Sequence, residues 1–196
     1  MLFRGISFHA PWLRWIAVLV AVLLTLSQAL LWWRAVAWWP EIPQRFPIHF
    51  NLAGTPDGWA NKSILGWFGL PALSLAMAAF LLGIGWCIGW MTRTSPMLIN
   101  VPRKQLFLAL SPQGRLVIVA PVRVFLTWVT ALVTLLFLWI VEGSARVAVG
   151  LDATLSSWPV FVMIGLILGT LPFFLLVTTL ALDAQAAREG LLRAPD

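Results

Sequence analysis

Four long apolar runs, separated by polar and turn-rich stretches, make up most of the chain. The first occupies 12–37 and is nearly unbroken from Trp15 to Trp33, long enough to cross a hydrocarbon core about 30 Å thick. The others fall at 64–91, 117–141 and 158–182. Between the first two lies 38–63, where Pro40, Pro43, Pro47 and Pro56, with Gly54 and Gly58, stop any membrane helix; proline lacks the N–H and blocks the preceding turn. Shorter connections follow at 92–116 and 142–157, then a charged tail at 183–196. The pattern predicts an all-α membrane protein of four transmembrane helices, with a structured extracytoplasmic loop between the first two.

Details within the runs refine this picture. Ser27-Gln28-Ala29 resembles a signal-peptidase site, but Leu30 to Trp33 keep the run apolar beyond it, so a retained anchor is expected. Gln28 is expected to face another helix, because a lone amide in lipid is costly. Gly85 and Gly89, and again Gly165 and Gly169, make GxxxG spacings, read as helix packing and not as dimerisation. Thr127, Thr130 and Thr134 share one helical face, read as a helix contact in preference to a polar pathway. Pro121 and Arg123 leave the start of the third span open between Val117 and Val124, with Arg123 expected to snorkel. Leu106 to Leu110 is expected to lie along the membrane surface, and the tail to begin as a short helical extension.

Composition agrees with lipid as the solvent. Hydrophobic residues are 61% and charged residues 10%, where a soluble domain carries roughly 25% charged. Mean hydropathy is +0.92. The net charge of +6 follows topology and does not imply nucleic acid as a partner. Arg4, Arg14, Arg93, Arg103, Lys104, Arg115, Arg123, Arg188 and Arg193 fall on one side of the four spans; Arg34, Arg45, Lys62 and Arg146 fall on the other. The positive-inside rule then predicts a multi-pass protein of the inner (plasma) membrane with cytoplasmic N- and C-termini. Trp32, Trp33, Trp38, Trp39, Trp59, Trp67, Trp139 and Trp158 gather near the opposite boundary, where indole is half-buried and half-wet. Cys87 is the only cysteine, so no intrachain disulfide forms, and a small buried apolar role is expected of it.

The candidate chemistry is confined to the 38–63 loop. Thr55-Pro56-Asp57-Gly58 reads as a type I or II turn, and Asn51 with Gly54 as a second bend in which the Asn side chain bonds backbone N–H groups. Phe46, Ile48 and Phe50 alternate with Pro47 and His49, which predicts a short extended piece with one buried face. His49, Asn51, Asp57 and Lys62 could then converge, with Asp57 paired to Lys62 or Arg45 in a cluster that holds the loop's shape. His49 and Asp57 are weak candidates for a metal, because a catalytic zinc takes three protein ligands and the only other histidine, His9, lies on the opposite side. No metal and no cofactor is assigned. The binding residues singled out are His49, Asn51, Gly54, Pro56, Asp57, Trp59 and Lys62.

Pro40-Glu41-Ile42-Pro43, Pro47-Ile48-His49-Phe50-Asn51, Gly54-Thr55-Pro56-Asp57-Gly58-Trp59 and Lys62 together resemble the bacterial domain-of-unknown-function family numbered 1648, over about 38–75. Asn100 to Arg115 resembles the cytoplasmic segment of some relatives more weakly. The resemblance implies an integral membrane protein without an established chemical activity. Some members of the family are joined to the membrane module of Sdp-type immunity proteins, which protect against a secreted toxic peptide and signal to a repressor; no copy of that module is recognisable here.

Several function classes remain in view at this point. The leading one is a non-enzymatic protein that senses or binds an envelope peptide or protein through the loop, the bilayer being its other partner. Alternatives are a small structural subunit of a membrane complex, a toxin-immunity or signalling protein, and a transporter component. No Ser-His-Asp set, HExxH, phosphate loop or redox cysteine pair is present, so no enzymatic role is expected. Spans two and four lack ionisable residues between their ends, which counts against an ion relay.

Overall fold

A computed structural model describes residues 11–192; His9, Arg4, Arg193 and the last residues of the tail lie outside the described residues. Four helices are long and apolar enough to cross a membrane: α1 (Pro11–Trp38), α2 (Ile64–Thr94), α4 (Pro112–Ala148) and α5 (Trp158–Arg188). A short α3 (Lys104–Ala109) lies between α2 and α4. Between α1 and α2 the chain forms an antiparallel two-stranded sheet, β1 (Arg45–Phe50) with β2 (Pro56–Asn61). The chain is thus a helical membrane protein with a structured loop between its first two spans, and that loop is a β-hairpin.

Two compact units divide the chain. One comprises residues 21–79 and 129–167. Its core joins Leu31 and Ala35 of α1, Ile42, Phe46 of β1, Trp67 of α2, and Val141 and Ala145 of α4. Deeper in the same unit, Gln28 Nε2 donates to Ser74 Oγ at 2.9 Å and to Thr134 Oγ1 at 3.1 Å. Ser74 in turn donates to Thr134, which donates to the Thr130 carbonyl. The amide therefore faces α2 and α4, with Thr134 taking part through its hydroxyl and Thr130 through its backbone carbonyl. Interhelical hydrogen bonds within membranes contribute modestly, about 0.6 kcal/mol on average. Gln28→Leu is accordingly expected to cost on the order of 1 kcal/mol, read as a small drop in thermal stability in detergent. The loss stays small because the Ser74–Thr134 bond survives the substitution.

The other unit comprises residues 1–20, 80–128 and 168–196, of which 11–20, 80–128 and 168–192 are described. Phe107 and Leu110 are fully buried there against Ile118, Val119, Leu182 and Ala186. The Leu106–Leu110 stretch turns Phe107 and Leu110 into this core and leaves Gln105 and Ala109 exposed on its other side. Helix α4 begins at Pro112 and runs through Pro121, with Ser111 Oγ accepting from Gly114 N as the N-cap and Pro112 in the first turn, where its missing N–H costs nothing. Glu189 then clasps that terminus, accepting from Ser111 N at 2.7 Å and Ser111 Oγ at 2.8 Å. Burial pushes the Glu189 carboxyl up, but the bonds from Gln185 and Ser111 outweigh it and hold the group below its ordinary value.

The glycine pairs meet different neighbours. A Cβ at Gly85 would touch Leu126 at 3.7 Å, and one at Gly89 would lie 3.4 Å from the Arg123 guanidinium. Arg123 thus lies across α2 at Gly89. At Gly165 and Gly169 a Cβ would meet nothing within 4 Å among the described residues.

Candidate functional site: the β-hairpin

The hairpin owes its shape to a turn and two bulges. Asn51 N donates to the Thr55 carbonyl and Gly54 N to the Asn51 carbonyl, while Asn51 Oδ1 accepts from Thr55 N at 3.0 Å. The reversal therefore falls at Asn51–Gly54, with Gly54 at φ +79. Thr55-Pro56-Asp57-Gly58, expected as a turn, instead leads into and forms the start of β2. Proline is tolerated in both strands because each has an edge where no ladder donor is required.

Pairing runs Pro47↔Trp59, His49↔Gly58 and Phe50↔Pro56, which leaves Ile48 extra on β1 and Asp57 extra on β2. Each bulge re-aims neighbouring side chains, and together they bring His49 Nδ1 within 2.5 Å of Asp57 Oδ1. Gly58 is required opposite His49, since a Cβ there would sit 2.7 Å from the His49 Cβ. The imidazole is 71% exposed and the carboxylate 45%. The contact engages Nδ1 and leaves the other ring nitrogen, Nε2, outside this bond. Among the described residues no group of three His, Cys, Asp or Glu could hold a metal ion.

Of the four residues expected to converge, only His49 and Asp57 meet. Asn51 is occupied within the turn. Lys62 lies at the base of the hairpin, where Nζ donates to the Ile42 carbonyl at 2.7 Å and stands 4.7 Å from the centre of the Trp39 ring. Arg45 is likewise over the exposed Trp59 ring and not beside Asp57. The carboxylate of Asp57 takes the nearest donor that the bulges supply, which is histidine across the sheet.

Both ends of the hairpin are fastened. At the base, Phe46 is buried edge-on against Trp67, whose Nε1 donates to the Ala35 carbonyl at 2.8 Å. Pro47 is buried beside it, and Ser63 Oγ caps α2 by accepting from Gly66 N. At the tip, Leu155 N donates to the Gly54 carbonyl and Ser157 Oγ to the Leu52 carbonyl, each at 2.8 Å. A Cβ at Gly54 would run into the Leu155 carbonyl oxygen, and one at Gly143 of α4 into the Leu155 side chain. Leu155 thus sits between two glycines. The 149–157 connection that carries it is itself braced by Arg146 on Asp152, at 2.6 and 3.2 Å, and that guanidinium holds the Asp152 carboxyl below its ordinary value.

Sequence reading missed one further cluster in this unit. Arg34 of α1 meets Glu142 of α4 through Nε–Oε2 at 2.8 Å and Nη2–Oε1 at 2.9 Å, and Trp38 Nε1 adds a bond to the same carboxylate at 2.9 Å. The guanidinium lies against the Trp33 and Trp38 rings. Complementary charges on the same side of spans one and three were the available signal.

Four apolar spans with a clasped hairpin between the first two define an integral membrane protein that carries a small β-structure between its first two helices. Residues 28–75 match the family model described as "Domain of unknown function (DUF1648)", and the resemblance read from the loop residues holds over that segment. The match begins at Gln28 and extends just past Ser74, which are hydrogen-bonded to each other, so it encloses the hairpin and the helical stems on which it stands. No curated protein and no solved structure matches the chain.

Proposed function

We propose that this is a non-enzymatic protein of the bacterial inner membrane, with both termini cytoplasmic, whose hairpin binds a peptide or protein partner in the envelope. The observation that carries the reading is the exposed His49–Asp57 pair, with Trp59 exposed two residues further along β2, on a hairpin fastened at both ends. Fastening matters energetically, because a preorganised surface pays little ordering entropy when it binds. An exposed histidine, a carboxylate and an exposed indole together offer directional polar contacts and apolar area, and tryptophan is among the residues enriched at binding hot spots. Asn51, Gly54, Pro56 and Lys62 hold the hairpin that presents them. The orientation is supported by the nine cations, against four, on the side of the termini.

The test is co-purification from mild detergent. His49→Ala combined with Asp57→Ala, and separately Trp59→Ala, should each lower recovery of a cross-linked envelope partner about tenfold, the size of a hot spot worth roughly 1.4 kcal/mol. Membrane insertion and thermal stability should stay at the level of the unaltered chain. Equal recovery from all variants would overturn the reading.

A further inference from the structure

A groove of about 430 Å³ opens among α1, α4 and α5, walled by Leu30, Leu135, Leu138 and Met163, with Trp158 beside its entrance. Arg34 and Glu142 also line it. Seven residues separate Leu135 from Glu142 along α4, so the groove runs inward about 10 Å from the charged pair at 1.5 Å per residue. One end is polar and the rest apolar, which is the profile of an amphiphile.

We propose that this groove is a binding site for one acyl chain of a membrane phospholipid, with the chain's ester carbonyl accepting from Arg34. Three observations select this occupant. The helices lining the groove are apolar enough to span a bilayer, so the medium beside it is lipid. Apolar walls hold no water, and an empty groove would forfeit the dispersion contacts of its lining. Lastly, Glu142 takes two of the five guanidinium donors of Arg34. The other donors have no acceptor among the described residues, while the pair as a whole is charge-neutral. A neutral oxygen acceptor attached to a hydrocarbon chain satisfies both conditions. Helix α5 completes the wall with little of its own surface committed elsewhere: 6% of its apolar window is buried within the chain, against 39% for α4. The proposal stands apart from the role of the hairpin and survives if that role fails.

The experiment uses the full chain in vesicles of an ether-linked phosphatidylcholine, which lacks the ester carbonyl, containing an ester-linked phosphatidylcholine with a diazirine midway along one acyl chain. After photolysis, labelled peptides are mapped by mass spectrometry. Labelling of 135–142 and 158–163 should saturate as the probe fraction rises, whereas labelling of the exposed α2 residues Leu73, Leu75 and Phe80 should rise in proportion. Filling the groove by Leu135→Trp with Met163→Trp should reduce its labelling at least fivefold and leave α2 unchanged. Should that variant fail to fold, the saturation curve of the unaltered chain decides alone. Proportional, non-saturating labelling of the groove would overturn the proposal. So would a folded filled variant labelled like the original, or cross-links showing a second copy of the chain seated in the groove.

Discussion

Replacing Gly54 with alanine should unseat the tip of the hairpin and cost about 3 kcal/mol. Two separate effects add up to that figure. A left-handed residue other than glycine costs roughly 1–2 kcal/mol, and Gly54 has φ +79. The added methyl also meets the Leu155 carbonyl oxygen, a backbone atom with no rotamer through which to yield. Relief requires the 149–157 connection to move away, which breaks the bonds from Leu155 N to Gly54 and from Ser157 to Leu52, each worth about 1 kcal/mol. Gly150 provides the control. It has φ +77, but a Cβ there would meet nothing within 4 Å, so Gly150→Ala should show the conformational cost alone. Limited chymotrypsin digestion reads the difference: Gly54→Ala should be cut after Leu52 and Leu155 far faster than the original chain, and Gly150→Ala only slightly faster. Equal protection of the two variants would mean that the tip is not held by Leu155.

The same contact explains which parts of the molecule could be read from the sequence. Apolar runs declare themselves because each span satisfies its own backbone hydrogen bonds and needs only length and hydropathy. The extended character of Phe46 to Phe50 and the Asn51 bend were legible, but the one buried face expected for Phe46, Ile48 and Phe50 is not observed: Phe46 and Pro47 are buried and Ile48, the extra residue of the first bulge, is exposed. The second strand was not legible, because Thr55-Pro56-Asp57-Gly58 carries the residues of a turn. What decides between two glycines as the turning point is Leu155, about a hundred positions away, which docks on Gly54, together with the close approach of His49 to Gly58. The bulges at Ile48 and Asp57 follow from the pairing and leave no local signature. Convergence of His49 with Asp57 was foreseeable from a hairpin, whereas placing Lys62 with them required ignoring that it comes after the second strand. The burial of Phe107 and Leu110 was not legible for a related reason: in the uniformly apolar run Leu106 to Leu110 no periodicity marks which side chains enter the core.

The ion pair between Arg34 and Glu142 should behave unequally towards single and double substitution. Glu142→Met leaves a guanidinium among tryptophans and leaves Trp38 Nε1 without its acceptor. Arg34→Met leaves a carboxylate near Leu138 and Trp139. Removing one partner of a fully buried pair costs roughly 3–5 kcal/mol; here the two side chains are 28% and 27% exposed, and solvent screening reduces the cost to about 2 kcal/mol. The double substitution removes both charges and replaces them with flexible apolar groups suited to an apolar groove, so it should fall close to the original stability. A double-mutant cycle on thermal or denaturant unfolding in detergent would then give a coupling close to the sum of the two single losses, about 4 kcal/mol. Additive losses would show that the pair contributes no mutual stabilisation. In that case the two charges would be retained for contacts with something outside the chain, and the donors that Arg34 still offers would be the place to look for it.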